Sequence, residues 1–189
     1  MTFWDEFHTK RLNGNELIYM KPKFDKIAEF VKCTGKIINK PKLEIGCGSG
    51  LYAHLLNDIF PGWTADYVGI DSSKKSVEIA QGHFENLDIR EADVHNFRID
   101  RKFDLFVFWD VLEHIEHHDK LAETVKALGN EGFSIIGNIP LYLSKHGGFE
   151  RPMDIDELKK FTDMCGLKKI KANIYGYSLH PYMLFHVVK

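Results

Sequence analysis

Leu43-Glu44-Ile45-Gly46-Cys47-Gly48-Ser49-Gly50 is the stretch that decides how this chain is interpreted. An apolar strand pattern ends at Ile45 and a helix pattern begins at Leu51, so the glycines fall on the turn between them. Glycine permits a sharp turn and a close approach of a ligand to the backbone. The helix behind the turn offers free N–H groups. The stretch therefore predicts a nucleotide-type cradle, and residues 46–50 are named the glycine loop.

Outward from this loop, short apolar runs alternate with amphipathic stretches from about residue 41 onward. This alternation is typical of β-α-β units with a parallel sheet. The first 40 residues predict one or two amphipathic helices. The last two predicted strands are joined by a short turn and should pair as an antiparallel hairpin. Strands are predicted at residues 42–47, 65–71, 87–92, 103–109, 132–139, 167–177 and 182–188, and further helices at 51–60, 74–83, 120–128 and 154–165.

Composition indicates one folded domain. The chain has 189 residues, 44% of them hydrophobic and 28% charged, with a net charge of −2. The near-zero charge argues against binding of nucleic acid by bulk electrostatics. No apolar run reaches a membrane-spanning length, and the N-terminus is acidic and aromatic, unlike a secretory signal. Three scattered cysteines predict no disulfide framework, and we expect a cytoplasmic protein with no membrane partner.

Glu44-x-Gly46-x-Gly48-x-Gly50 resembles the first motif of the class I S-adenosylmethionine (SAM)-dependent methyltransferases. Three further matches follow in the order of that family. Asp71 ends the second predicted strand, Asp93 ends the third, and residues 103–114 resemble the family's fourth strand and the loop after it. The resemblance covers roughly residues 41–189.

The resemblance implies an α/β, Rossmann-like, seven-stranded sheet that is mostly parallel, with an antiparallel last strand and helices on both faces. Residues 41–189 would form the SAM-binding domain. Residues 1–40 would form an N-terminal helical cap or lid. The lid is suggested by four aromatic residues that could close over the site, namely Phe3, Trp4, Phe7 and Tyr19.

The resemblance also implies that SAM is the cofactor and S-adenosylhomocysteine (SAH) the product. In the family an acid in the place of Asp71 accepts the ribose hydroxyls, and one in the place of Asp93 holds the adenine amino group. Trp109 and Asp110 would flank the methionyl end. The residues expected to bind the cofactor are Glu44, Gly46, Cys47, Gly48, Gly50, Asp71, Ser72, Asp93, Val94, Trp109 and Asp110.

Catalytic residues are expected at the carboxyl ends of the fourth and fifth strands, where ligands collect in open α/β sheets. Methyl transfer requires mainly orientation, with a general base if the acceptor is a hydroxyl or a protonated amine. Glu113, His114 and His146 are the candidates. The neighbouring His117 and His118 do not share a helix face, and we expect both to lie in solvent.

A metal site is the alternative at the same place. Asp110, Glu113, His114 and His146 could bind a divalent cation through mixed oxygen and imidazole ligands. The acid-x-x-acid-His box does so in the ubiquinone-biosynthesis O-methyltransferases and the small-RNA 2′-O-methyltransferases. The same box is common in methyltransferases that use no metal, and we expect none here.

The expected function is transfer of a methyl group from SAM to a hydroxyl or amine of a small-molecule acceptor, by a monomer or homodimer. Two alternatives remain: a metal-assisted 2′-O-methyltransferase acting on an RNA end, and a SAM-binding module without activity. A dehydrogenase is disfavoured because its fingerprint needs a third glycine where this chain has Leu51.

Overall fold

The computed structural model describes residues 15–142, 150–151, 153–176 and 181–189, with side chains described from residue 21 onward. Within these residues seven strands form one sheet in the order β3-β2-β1-β4-β5-β7-β6. The strands are β1 (Lys42–Ile45), β2 (Tyr67–Asp71), β3 (Ile89–Glu91), β4 (Phe103–Trp109), β5 (Gly129–Pro140), β6 (Lys169–Tyr175) and β7 (Tyr182–Val188).

The first five strands are parallel to one another, and β7 lies antiparallel between β5 and β6. The predicted terminal hairpin and the predicted fold class are therefore confirmed. The fifth strand begins at Gly129, earlier than predicted, because its first residues run beside Phe103 at the start of β4, with an irregular register between Phe103 and Leu105.

Helices connect the strands and cover both faces of the sheet. In the described residues the N-terminal region contains one helix, with Pro22 inside it. A short 3₁₀ turn, Leu112–His114, follows β4. The helices are α1 (Asn15–Thr34), α2 (Leu51–Ile59), α3 (Lys74–His83), α4 (His118–Leu128) and α5 (Ile155–Met164).

The central strand β4 shows how the two faces are covered. Its side chains alternate between the faces, as the pleat requires. Phe106 and Phe108 pack in a cluster that includes side chains of α4 and α5. Leu105, Val107 and Trp109 pack on the other face in a cluster that includes side chains of α1 and α2. A strand buried on both faces explains the continuous apolar run seen in the sequence.

Helix α1 contributes directly to this core. Phe24, Ile27, Phe30 and Val31 are buried in the same cluster as the β4 side chains. The predicted lid residues Phe3, Trp4 and Phe7 lie outside the described residues, as does the side chain of Tyr19, so the lid stays a prediction. Among the described helices, none has both the length and the apolar character needed to cross a membrane.

Candidate active site

A cavity of about 480 Å³ opens at the carboxyl ends of the parallel strands. This volume lies in the range of roughly 300–1,000 Å³ found for small-molecule and cofactor sites. Its walls come from the glycine loop, the ends of β2 and β4, the segment after β3, and the residues that follow β4 and β5. Nine of the eleven residues predicted to bind the cofactor line it, namely Gly46, Cys47, Gly48, Asp71, Ser72, Asp93, Val94, Trp109 and Asp110.

The glycine loop turns sharply out of β1. Gly46, Gly48 and Gly50 all have positive φ, a backbone region that L side chains rarely adopt. At Gly46 an added Cβ would lie 2.3 Å from Cγ2 of Val111, so the loop packs tightly against the segment after β4. Gly50 precedes α2 and faces Ile89 rather than the cavity. Gly50 therefore supports the loop from behind. It is one of the two predicted cofactor residues that do not line the cavity.

Asp71 fixes the loop from the end of β2. Its Oδ2 accepts a hydrogen bond from the Gly48 N–H at 2.8 Å, and its Oδ1 accepts one from the Ser73 N–H at 2.8 Å. Ser73 in turn caps α3, because its hydroxyl oxygen accepts a bond from the Ser76 N–H. The carboxylate thus holds the glycine loop and the start of α3 in register at the cavity wall.

Glu44 is the second predicted cofactor residue that does not line the cavity. It is 1% exposed, on the face of β1 behind the loop, and its Oε2 accepts a hydrogen bond from the Tyr67 hydroxyl at 2.9 Å. Burial raises the pKa of Glu44 to about 8, more than the Tyr67 bond lowers it. Burial also raises the pKa of the neighbouring Cys47 thiol, which keeps it protonated and a poor nucleophile.

Asp93 lies in the turn after β3, at the far side of the cavity from β4. Its Oδ1 accepts a hydrogen bond from the His95 N–H at 3.0 Å, and its Oδ2 accepts one from the Asn96 amide at 3.2 Å. The carboxylate is exposed while holding this turn. Asp71 and Asp93 therefore present two carboxylates along one wall.

Asp110 is the centre of a polar group that the sequence did not reveal as a whole. It follows β4 with φ +52°, an uncommon conformation for a residue with a side chain. Lys23 Nζ of α1 lies 2.5 and 2.6 Å from its two carboxylate oxygens. The buried Asn138 amide donates to Oδ1 at 2.6 Å, and the Tyr52 hydroxyl lies 3.4 Å from Oδ2.

Lys23, Tyr52 and Asn138 were not predicted as site residues. Asn138 carried a usable signal, because it is a polar residue inside an apolar strand. Lys23 carried none, since it is 87 residues from Asp110 in sequence. Nearby, the indole Nε1 of Trp109 is buried without a hydrogen-bond partner.

Glu113 and His114, two of the three residues predicted to be catalytic, both line the cavity. Glu113 is 2% exposed, and its Oε2 is buried with no hydrogen-bond partner. Its Oε1 lies 3.7 Å from Nε2 of His114. Burial, followed by the negative charge of Asp110, raises the pKa of Glu113 to about 8. A carboxyl with such a pKa can exchange protons near neutral pH.

The turn that carries Glu113 is anchored by His118. The expectation that His118 lies in solvent is wrong, because its ring is buried and accepts a bond from Arg151 Nη2 at 2.8 Å. Its Nε2 then donates to the Leu112 carbonyl at 2.8 Å. Burial lowers the pKa of His118, consistent with a neutral ring. His117 is exposed, as expected, and lines the cavity.

The alternative metal ligands do not converge in the part of the chain that the structure describes. No group of three histidine, cysteine, aspartate or glutamate side chains there is arranged to hold a metal ion. Both oxygens of Asp110 are within 2.6 Å of the Lys23 ammonium. His146, the fourth proposed ligand and third catalytic candidate, lies outside the described residues, so its role stays a prediction.

Residues 43–132, which run from β1 into β5, match the family model described as a methyltransferase domain. This part of the chain is a methyltransferase domain. The fold of the chain is shared by a solved SAM-dependent methyltransferase from Clostridium acetobutylicum, with a TM-score of 0.72 over 99% of both chains at 17% identity.

Two curated methyltransferases are similar in sequence to this methyltransferase domain. The ubiquinone biosynthesis O-methyltransferase of Pelagibacter ubique is 29% identical over 132 residues, which is 67% of this chain and 53% of that protein. Malonyl-[acyl-carrier protein] O-methyltransferase 2 of Ilyobacter polytropus is 25% identical over 156 residues, 80% of this chain and 60% of that protein. The chain thus spans between half and two thirds of the length of these relatives.

Proposed function

We propose that this chain is a SAM-dependent methyltransferase that transfers a methyl group to a hydroxyl or amine of a small-molecule acceptor. One observation carries the proposal. The glycine loop, Asp71, Asp93 and Asp110 come from four separate strand ends and meet at one cavity of cofactor size. The similarity to curated methyltransferases supports the same chemistry.

The residues present fit SAM. Carboxylates accept hydrogen bonds from a diol or an amino group, so Asp71 would hold the ribose and Asp93 the adenine amino group. Ser72 and Val94 would border the nucleoside, and Gly46, Cys47 and Gly48 would let the cofactor lie against the backbone. The orphaned Nε1–H of Trp109 supports the fit, because a buried donor favours a ligand that can accept its bond.

Lys23 and Asp110 extend this fit to the amino-acid end of SAM. That end carries one ammonium and one carboxylate, and the two side chains offer the opposite charges at the wall of the cavity. Asn138 would keep the Asp110 carboxylate in place while Lys23 turns toward the ligand. Glu44 and Gly50 would act indirectly, by holding the loop.

When bound, SAM supplies an electrophilic methyl group on a sulfonium sulfur. The chain's own residues would orient the acceptor and remove its proton. Glu113 would accept that proton at its carboxylate, since its pKa of about 8 suits exchange near neutral pH. His114 would assist from 3.7 Å, and the 3₁₀ turn anchored by His118 would keep Glu113 at the wall.

Titration calorimetry with SAM, SAH and NAD tests the cofactor assignment. SAM and SAH should bind and NAD should not; the reverse result would overturn the proposal. A methyl-release assay over phenols, amines and RNA ends then separates a small-molecule enzyme from an RNA methyltransferase. SAM binding without turnover on any acceptor would favour a non-catalytic module.

A further inference from the structure

The lysines of this chain are unevenly distributed along the sequence. Residues 30–42 and 165–188 contain seven lysines and no aspartate, glutamate or arginine, whereas all 27 acids lie elsewhere in a chain of net charge −2. Lys42 is buried, and its ammonium group donates to the Ile38 and Trp63 carbonyls. The other six lysines are named the basic corner, namely Lys32, Lys36, Lys40, Lys168, Lys169 and Lys171.

The fold brings these two segments together at the end of β7. Lys171 lies opposite His186 in the β6–β7 pair. Burial, followed by the positive charges of Lys40 and Lys171, lowers the pKa of His186, so both lysines lie near its ring. Lys168 donates its backbone N–H to the Val188 carbonyl at 3.1 Å, which places the start of β6 beside the end of β7.

Helix α1 adds lysines to the same corner. Lys171 Nζ lies 5.9 Å from the centre of the Phe30 ring, so the last turns of α1 run beside β6. Lys32 lies in the last turn of α1, and Lys36 lies in the turn that follows the helix. Five of the six lysines are exposed and Lys40 is half-buried. The corner therefore presents its positive charges to solvent.

No acid neutralises the basic corner within the described part of the chain. None of the ion pairs formed there includes any of the six lysines. The residues whose side chains lie outside the described ones hold three acids and three bases in total. Those residues therefore bring no net charge that could offset the corner.

The basic corner lies at the end of the sheet opposite to the cavity. The cavity opens at the carboxyl ends of the parallel strands, whereas Lys40 precedes β1 at the amino end. Because β7 runs antiparallel to β5, its last residues, beside Lys168 and Lys169, also lie at the amino ends. The paired residues Ile135–Pro140 span the separation, which is roughly 15–20 Å at about 3.3 Å per residue. A partner at the corner therefore leaves the cavity accessible.

The side chains of the corner favour a surface of anionic lipids over other acidic partners. Interfaces between proteins are enriched in arginine and aromatic residues and depleted in lysine. Sites for single-stranded nucleic acid add aromatic rings on which the bases stack. The two segments have no arginine, and their described phenylalanine and tyrosine rings are buried or, for Tyr175, stacked on Tyr182. Lipid headgroups need neither feature, because clustered lysines attract them through charge.

We propose that the basic corner binds the surface of a membrane that contains anionic lipids, and holds the chain there with its cavity accessible. This inference goes beyond the proposed function and does not depend on it. The lysine ammonium groups would pair with lipid phosphates, and their flexible side chains would reach a surface that has no shaped pocket. The expectation of no membrane partner rested on the lack of a membrane-spanning apolar run in the sequence, and binding of this kind requires none.

Sedimentation of the chain with lipid vesicles tests this inference. Vesicles of phosphatidylcholine alone are compared with vesicles that also contain about 30% phosphatidylglycerol, each at about 0.1 M and about 0.5 M salt. The chain should partition onto the anionic vesicles at least about tenfold more strongly than onto the neutral ones at the lower salt concentration. The difference should fall several-fold at the higher concentration, because salt screens the charges.

Lys169→Gln combined with Lys171→Gln removes two charges from the corner. Each lysine near an anionic surface changes partitioning about fivefold, so this double variant should bind the anionic vesicles at least about tenfold more weakly. Lys120→Gln combined with Lys159→Gln removes the same charge from exposed positions of α4 and α5 and is the matched control. The control should bind within about twofold of the parent. Circular dichroism and urea denaturation report whether each variant is folded.

Equal partitioning onto neutral and anionic vesicles, no partitioning onto either, or an equal loss in the two double variants would overturn the inference. Tighter binding to polyuridylate RNA or to polyglutamate than to the vesicles, at equal concentrations of negative charge, would assign the corner to a nucleic acid or an acidic protein and would overturn it as well. The vesicle assay contains no cofactor, so its result is independent of the proposed function.

Discussion

Replacing Asp71 tests whether the carboxylate at the end of β2 holds both the glycine loop and the cofactor. Asp71→Asn keeps the shape of the side chain but removes its charge and one acceptor oxygen. In the free protein the carboxylate accepts bonds from the Gly48 and Ser73 N–H groups, both at 2.8 Å. The amide oxygen can accept only one of these bonds. One hydrogen bond is therefore lost, and the other now has an uncharged acceptor.

The magnitude follows from the strength of charge-assisted hydrogen bonds. Each contributes about 1.5–3 kcal/mol, and loss of one bond inside the loop should lower the free energy of unfolding by roughly 1–3 kcal/mol. Loss of the charged acceptor for the ribose should cost about 1.5–3 kcal/mol of binding free energy. This corresponds to an SAH dissociation constant raised about 10- to 150-fold.

Two assays separate these effects. Urea denaturation without ligand measures the loop contribution, and calorimetric titration with SAH under folding conditions measures the ligand contribution. Asp58→Asn on the exposed surface of α2 is the matched control and should leave both unchanged. SAH affinity within about twofold of the parent in Asp71→Asn would show that the ribose lies elsewhere and refute the assignment.

Four further predictions follow from the same geometry. Gly46→Ala should weaken SAH binding at least tenfold, since φ is +71° and the new Cβ would lie 2.3 Å from Val111. Adding Val111→Ala should restore only part of the lost affinity. Full SAH affinity in Gly46→Ala alone would contradict the tight packing of the loop against Val111. Glu44→Gln should flatten the pH dependence of stability. Burial raises the folded-state pKa of Glu44 to about 8, against about 4.3 in an unfolded chain. The contribution of Glu44 to the free energy of unfolding is therefore complete below about pH 4 and is lost as the pH rises to about 8. Urea melts at several pH values check this, and an unchanged slope between pH 5 and 8 would count against it. Lys23→Met should weaken the binding of SAM and SAH, measured by calorimetry, about tenfold, because the lysine would contact the carboxylate of the ligand. The affinity for decarboxylated SAM should fall less. Equal losses of affinity for all three ligands would indicate that Lys23 only holds Asp110 in place. Incubation with EDTA should leave methyl transfer unchanged, and recovery of lost activity by magnesium, manganese or zinc would establish the metal alternative instead.

Several features of the site could be predicted because they depend on local sequence. The glycine loop must follow β1 and precede α2, since its residues require positive φ at a strand-to-helix turn. Asp71 and Asp93 follow strands whose carboxyl ends meet at one edge of a parallel sheet. These turns and strand ends depend on sequence patterns over a few neighbouring residues, and such patterns can be recognised without coordinates.

Other features could not be predicted, because equivalent sequence signals have different surroundings in the fold. Glu44 and Glu113 both follow or belong to apolar strands, yet Glu44 lies behind the loop against Tyr67, whereas Glu113 lines the cavity. His117 and His118 are adjacent, yet one is exposed and the other is buried against Arg151. Which side of an element meets the core is decided by packing between elements.

The sequence by itself determined the alternation of strands and helices, the glycine loop and the acids at the strand ends. Only the tertiary structure decided that Lys23 and Asn138 meet Asp110, 87 and 28 residues away along the chain. It also decided that Glu113 is buried away from solvent with one carboxylate oxygen that has no hydrogen-bond partner. The physical reason is that backbone turns and strand patterns depend on near neighbours, whereas charge pairing and burial depend on segments brought together by folding.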